Sequence, residues 1–207
     1  SELLVVATAD NTQLEIVPSV NTSGGRPAGV PFTITLDAGQ SYQVQSALAA
    51  LDVTGTSVRA TTASGPCRPF AVFGGSMCAN VPLGCPACDH IVEQMVPTDR
   101  WGMNFHTIPM QGVNSHTYRI LADQPNTQVQ IDGGTPIILN AGGTHVVNGT
   151  NTPVCITANK PVSVAQLMEG FNCAGAGDPS MIELMPDERT TTSTVFATLS
   201  SAQITQH

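Results

Sequence analysis

The chain has 207 residues, of which 11% are charged, with a single lysine at Lys160 and a net charge of −8. Ordinary globular domains carry about a quarter charged residues, and a nucleic-acid binder needs a basic footprint that this chain lacks. The longest apolar runs span only a few residues, too few for a membrane-crossing helix.

The first element expected is a strand at Leu3–Val6, already under way where the chain begins. Asp10-Asn11 then signals a turn, and Leu14 and Ile16 alternate with Gln13 and Glu15. A Gly/Pro/Ser-rich loop leads to Phe32, Ile34 and Leu36, alternating with Thr33 and Thr35, followed by the turn Ala38-Gly39-Gln40 and by Tyr42 and Val44. The same alternation returns at Val129, Ile131, Val146, Val154, Ile156, Val162 and Val164, punctuated by Asp132-Gly133-Gly134, Ala141-Gly142-Gly143 and Asn159-Lys160-Pro161. A period of two gives strands with one buried face, and turn signals at such short spacing suit antiparallel sandwiches or barrels. No stretch reads as a long amphipathic helix.

The alternation repeats in register. Asn11-Thr12-Gln13-Leu14 returns as Asn126-Thr127-Gln128-Val129, an offset of 115, and Leu36-Asp37-Ala38-Gly39 as Leu139-Asn140-Ala141-Gly142, an offset of 103. Cys78 matches Cys173 at offset 95, Asp89–Pro97 matches Asp178–Pro186 at offset 89, and Phe105-His106-Thr107-Ile108 matches Phe196-Ala197-Thr198-Leu199 at offset 91. The order is kept while loops shorten. The expected fold is therefore all-β: two tandem antiparallel β-sandwich-like repeats, 1–115 and 116–207, packed closely with no spacer, within a piece of a longer multi-repeat protein.

Six cysteines in so weakly charged a chain favour an oxidising compartment, and the sequons at Asn21 and Asn148 are compatible with it. Cys85-Pro86-Ala87-Cys88 admits three readings. A zinc site would draw on Cys67, Cys78, Cys85 and Cys88, but lacks the second short spacing such sites show. A redox pair needs a helix N-terminus in a βαβ setting. A disulfide framework needs neither. Six cysteines allow 15 pairings. The simplest joins Cys155 to Cys173, with Cys78–Cys88 and Cys67–Cys85 clamping the longer loop of the first repeat.

Other chemistry is thin. Asp89, His90 and Glu93 crowd one segment, but only the aspartate recurs, as Asp178, which fits a capping role. Arg100 and Arg189 are candidates to pair with Asp89, Glu93, Asp178 and Glu183 in a structural polar network. The five histidines show neither i, i+4 nor His-x-His spacing, Gly74-Gly75-Ser76 is no nucleophile elbow, and the turn aspartates lack the ligand density of a calcium loop. No catalytic residue, metal or cofactor is expected. The aromatics to test for ligand contact are Trp101, Tyr42 and Tyr118, with Phe105.

Cys78-Ala-Asn-Val-Pro, Ala87-Cys-Asp-His-Ile-Val-Glu-Gln-Met95, Pro97 and Trp101-Gly102 resemble the signature of the IgG Fc-binding protein N-terminal domain family. Lys160–Gln166, Asp178–Met181, Tyr118–Ala122 and Asn126-Thr127 resemble it as well, so the likeness spans essentially the whole chain. It implies a secreted or cell-surface module that binds or builds, and the thin chemistry of the residues gives no enzyme to expect. It also implies the Cys78–Cys88 pair, while Cys67 and Cys85 look like additions. The partners to expect are other copies of the protein, a host or cell-surface protein, or a glycan, with a homo-oligomer or fibre arising through open strand edges such as Leu3–Val6. A lectin-like module is the alternative.

Overall fold

The computed structural model describes residues 1–61, 68–86 and 88–195. The first strands are β1 (Glu2–Ala7), β2 (Thr12–Val17), β3 (Phe32–Leu36), β4 (Ser41–Gln45), β5 (Ser57–Ala60), β6 (Phe70–Ala79) and β7 (Asp89–Gln94). A 3-10 turn at Thr98–Arg100 leads into β8 (Gly102–His106). Then come β9 (His116–Ala122), β10 (Thr127–Ile131), β11 (Ile137–Leu139), β12 (Thr144–Thr150), β13 (Cys155–Met168), the four-residue helix α1 (Phe171–Ala174), β14 (Ser180–Glu183) and a second 3-10 turn at Asp187–Arg189. The described fold is all-β, and no described helix is long and apolar enough to cross a membrane.

All described strand pairings are antiparallel, and pairings in the first half of the chain have counterparts in the second. In the first, β4-β1-β6-β7 form one sheet and β3-β2-β5 another. In the second, the orders β12-β9-β13-β14 and β11-β10-β13-β8 share the long strand β13. Leu14 faces Ala60 and Ile16 faces Val58, just as Val129 faces Ala158 and Ile131 faces Ile156. The turns correspond in detail: Asn11 and Asn126 both take φ of 56°. Thr12 Oγ1 donates to Ala9 O and Thr127 Oγ1 to Gln124 O. Asparagine tolerates that left-handed conformation better than most residues, and the threonine hydroxyl closes the turn behind it.

Each half has its own apolar core. Leu3, Val5, Leu14, Ile16, Leu36, Val44 and Val53 make the first; Phe105, Tyr118, Ile120, Val129, Ile156, Val162 and Val164 belong to the second. β1 is an inner strand, flanked by β4 and β6, so Leu3–Val6 is not the open edge expected from the sequence. Leu3, Val5 and Ala7 are buried while Leu4 is exposed, an alternation that four consecutive apolar residues do not display in the sequence.

Several contacts fasten the halves. Val81 and Ile91 from the first cluster with Leu167 from the second. Arg119 Nη1 on β9 donates to Asp52 Oδ2 at 2.6 Å. Burial pushes the Asp52 carboxyl up, but the Arg119 charge and the amide and hydroxyl of Thr54 outweigh it and hold it below its ordinary value. Gly55 sits so near Gly142 that an added Cβ would lie 2.7 Å from Gly142 O. Only glycine permits that approach, and its φ of 86° favours glycine independently.

Candidate functional site at the junction of the two halves

β8 follows the first half in sequence but pairs with β13 of the second, placing Cys155 opposite His106, Ile156 opposite Phe105 and Thr157 opposite Asn104. The second 3-10 turn straps it from the other side. Glu188 Oε1 accepts from Met103 N at 3.0 Å and from Asn104 Nδ2 at 2.7 Å. Although its burial works the other way, hydrogen bonds from its own backbone amide, from Met103 and from Asn104 hold the Glu188 carboxyl below its usual value. Arg189 Nη2 donates to Asp99 O at 2.7 Å, so the two 3-10 turns touch.

This crossing assembles a constellation absent from any linear motif. His106 Nδ1 lies 2.7 Å from Asp187 Oδ2, and His106 Nε2 lies 3.8 Å from Cys155 Sγ. Cys155 is a free thiol, half-buried. The imidazole thus stands between a carboxylate and a thiol, one ring nitrogen against each. The Cys155 amide cannot serve as an oxyanion donor, because it donates to Asp132 Oδ1 at 2.8 Å. Spacing rules missed the constellation because the three residues come from β8, β13 and a turn, and register alone joins them.

The other cysteines answer the question posed by Cys85-Pro86-Ala87-Cys88. Cys78 is joined to Cys88. Cys85 is joined to Cys173, across 88 residues of sequence, so the expected Cys67–Cys85 and Cys155–Cys173 links are replaced. Three of the four sulfurs that a zinc site would need are thus in disulfides, and Cys85 and Cys88 do not form a redox pair. Cys67 lies outside the described residues. Strand register puts Ser57 at the place of Cys155, so the first half has no cysteine at that position. Cys78 lies on β6, whereas its sequence partner Cys173 lies on α1, held beside the first half by Asn172 Nδ2 donating to Pro86 O.

The expected polar network forms differently. Arg100 pairs with its neighbour Asp99 at 3.9 Å, and among the described residues no ion pair joins Arg100 or Arg189 to Asp89, Glu93, Asp178 or Glu183. Asp89 is exposed and caps locally, its Oδ1 accepting from His90 N, and Asp178 is exposed. Of the four carboxylates, Glu183 reaches across the halves, accepting from Ser163 Oγ at 2.6 Å and Val96 N at 2.7 Å. Burial pushes its carboxyl up, the two hydrogen bonds work against that, and the Glu93 charge adds to it.

Among the aromatics, Tyr118 is 0% and Phe105 1% exposed, so both are core residues unable to meet a ligand at the surface. Trp101 is half-buried, its Nε1 donating to Val96 O at 2.9 Å. Tyr42 tilts against Phe32, which carries Arg26 4.6 Å above its ring, in a small cavity of about 100 Å³ with Thr22 and Gln45.

Two further polar groups escaped the sequence reading. Glu169, buried, accepts from Ser115 Oγ, Thr117 Oγ1 and Gly149 N. Beside it His116 is fully buried, its Nε2 accepting from Met110 N while Nδ1 has no partner. Burial lowers the His116 pKa from its ordinary value, against the pull of the Glu169 charge.

A broader surface lies on the outer face of β4-β1-β6-β7. Gly74 and Gly75 leave a trough between Leu4, Phe73 and Val92, with Gln43 and His90 at its rim, about 370 Å³ in volume. Leu4 and Val92 are exposed there.

The family model of the IgGFc binding protein matches residues 1–207. A human protein named IgGFc-binding protein is 33% identical over 107 residues, which is 50% of this chain and 2% of that protein's length. No solved structure matches. With its whole length matched, this all-β, disulfide-linked chain belongs to the IgGFc binding protein family.

Proposed function

We propose that the chain is an extracellular protein-binding module, adhesive or structural in role, of a larger secreted or surface protein, built from two copies of one unit, 1–115 and 116–207. The observation that carries this reading is the apolar trough over Gly74 and Gly75, a shallow concave strip on a rigid sheet, in a chain whose family is named for binding a protein. Exposed apolar surface rimmed by polar groups is what protein partners cover. Two disulfides favour an oxidising compartment. The partners to test first are IgG Fc, which the relative's name nominates, and a second copy of this chain, which strand-edge assembly nominates. The chain is passed over immobilised Fc and, separately, sedimented over a range of concentrations. Binding or self-association that Val92→Asp weakens at least tenfold supports the trough. No Fc binding together with a monomer at every concentration removes both partners.

A lectin-like reading rests on one feature, the cavity of Arg26, Phe32, Tyr42 and Gln45, where an aromatic face meets polar groups. Glycan-array binding abolished by Tyr42→Ala supports it, and an array without binding ends it.

A further inference from the structure

The buried carboxylate of Glu169 is aimed at an irregularity in the sheet. β12 pairs with β9 through Val147 opposite Tyr118 and through Thr150 opposite His116, so Asn148 and Gly149 together face the single residue Thr117. Two residues against one make a β-bulge, a feature found often beside reactive sites. The Gly149 amide donates to Glu169 Oε1 at 3.2 Å, and Glu169 is only 2% exposed. Thr117 stands between that carboxylate and the Asn148 carboxamide. Its Oγ1 lies 2.9 Å from Glu169 Oε1 and 3.2 Å from Asn148 Oδ1.

The bulge also holds the one Asn-Gly pair in the sequence. Gly149 takes φ of 67°, and a Cβ added to it would meet nothing within 4 Å, so no side chain crowds its nitrogen. Asn148 is exposed to water while Glu169 is not. A backbone nitrogen, a buried base on its hydrogen, a hydroxyl relay and an amide open to solvent are thus brought to one place by the bulge.

We propose that the chain modifies itself at Asn148, with Glu169 as general base, converting the asparagine to aspartate and isoaspartate. Glu169 Oε1 takes the proton of the Gly149 amide, at the distance a general base requires. The freed nitrogen attacks Asn148 Cγ, forming the Cγ–N bond of a five-membered succinimide. The Cγ–Nδ2 bond breaks, and Nδ2 leaves as ammonia with the proton that Glu169 took, handed on through the Thr117 hydroxyl. Water then opens the ring at either carbonyl, giving aspartate or isoaspartate. Glu169 ends as the carboxylate it began as, and nothing is oxidised or reduced. Isoaspartate lengthens the backbone of β12 by one carbon at the bulge, where the ladder is already interrupted. This goes beyond the binding reading, and its test gives the same answer whether or not Fc or another copy binds.

The folded parent, made in a host that does not glycosylate asparagine, is incubated at neutral pH beside the same chain reduced and denatured. Peptide mass spectrometry follows the acid at position 148, and enzymatic methylation counts isoaspartate. The expected result is conversion at Asn148 faster in the folded chain than in the unfolded one, with the other asparagines intact. A folded chain that keeps the Asn148 amide longer than the unfolded chain overturns the proposal, since the bulge would then protect the residue. Glu169→Gln is expected to slow conversion in the folded state by roughly a hundredfold, the scale of general-base catalysis. An unchanged rate would leave Glu169 a mere closure of the bulge and overturn its role. Should that buried substitution prevent folding, Thr117→Val removes the relay while keeping a β-branched side chain in the strand, and slower conversion is again expected. The comparison of folded with unfolded parent needs no variant at all.

Discussion

Cys85 and Cys173 are joined across 88 residues of sequence, and the bond ties the loop before β7 to α1 of the other half. Cys78–Cys88 closes only a 10-residue separation beside it. Because a cross-link stabilises largely by restricting the unfolded chain, the long closure should matter more. Cys173→Ser with Cys85→Ser is expected to cost about 4 kcal/mol, and Cys78→Ser with Cys88→Ser about 3 kcal/mol. Calorimetry under non-reducing conditions checks the order; equal costs would place the stabilisation elsewhere.

Phe105 is contributed by β8 yet buried in the core of the second half. Phe105→Ala should lose about 3–5 kcal/mol of stability, while Trp101→Ala, at a half-buried site with one hydrogen bond, should lose less. Denaturant titration separates them, and a larger loss at Trp101 would contradict the burial.

His116 imposes a pH dependence with a definite sign. Its folded-state pKa lies below the ordinary 6.5, chiefly through burial. The folded protein therefore favours the neutral ring, and that contribution is complete above about pH 6.5 and is lost as the pH falls through the depressed folded value. Stability should drop between pH 7 and pH 5, and less so in His116→Gln. Identical pH profiles for parent and variant would rule the ring out as the source.

Cys155 should be alkylated by iodoacetamide in the native protein, whereas Cys78, Cys85, Cys88 and Cys173 should not react until reduced. If His106, oriented by Asp187, accepts the thiol proton, His106→Ala should slow the reaction several-fold at neutral pH. An unchanged rate would leave the imidazole a bystander.

Much of the architecture was legible because it is local. Asn11 and Asn126 announced matching turns that the backbone makes with the same φ, and the alternation through Leu14, Ile16, Val129 and Ile131 marked strands with a buried face. What was hidden depends on which strands meet. Nothing near Phe105 in sequence says that it enters the other half's core, so it read as a surface aromatic. Register alone equates Cys155 with Ser57, and without it the cysteine pairings were assigned by position in the repeat. Arg100 and Arg189 were matched to carboxylates by charge, yet Arg100 pairs with its neighbour and Arg189 meets a carbonyl. The Cys155–His106–Asp187 group is the clearest case, since it exists only because β8 crosses over.

That crossing also governs what a protease could achieve. The segment from 108 to 115 links β8 to β9, and Ile108 at its start is 78% exposed, an accessible place for cleavage. A nick there would cut the chain without releasing either piece. The upstream fragment would keep β8 seated in the sheet of the downstream one, and Cys85–Cys173 would hold the two covalently. Cleaved material would travel as one species until it was both denatured and reduced, so a clipped protein in an oxidising setting would persist as a two-chain molecule.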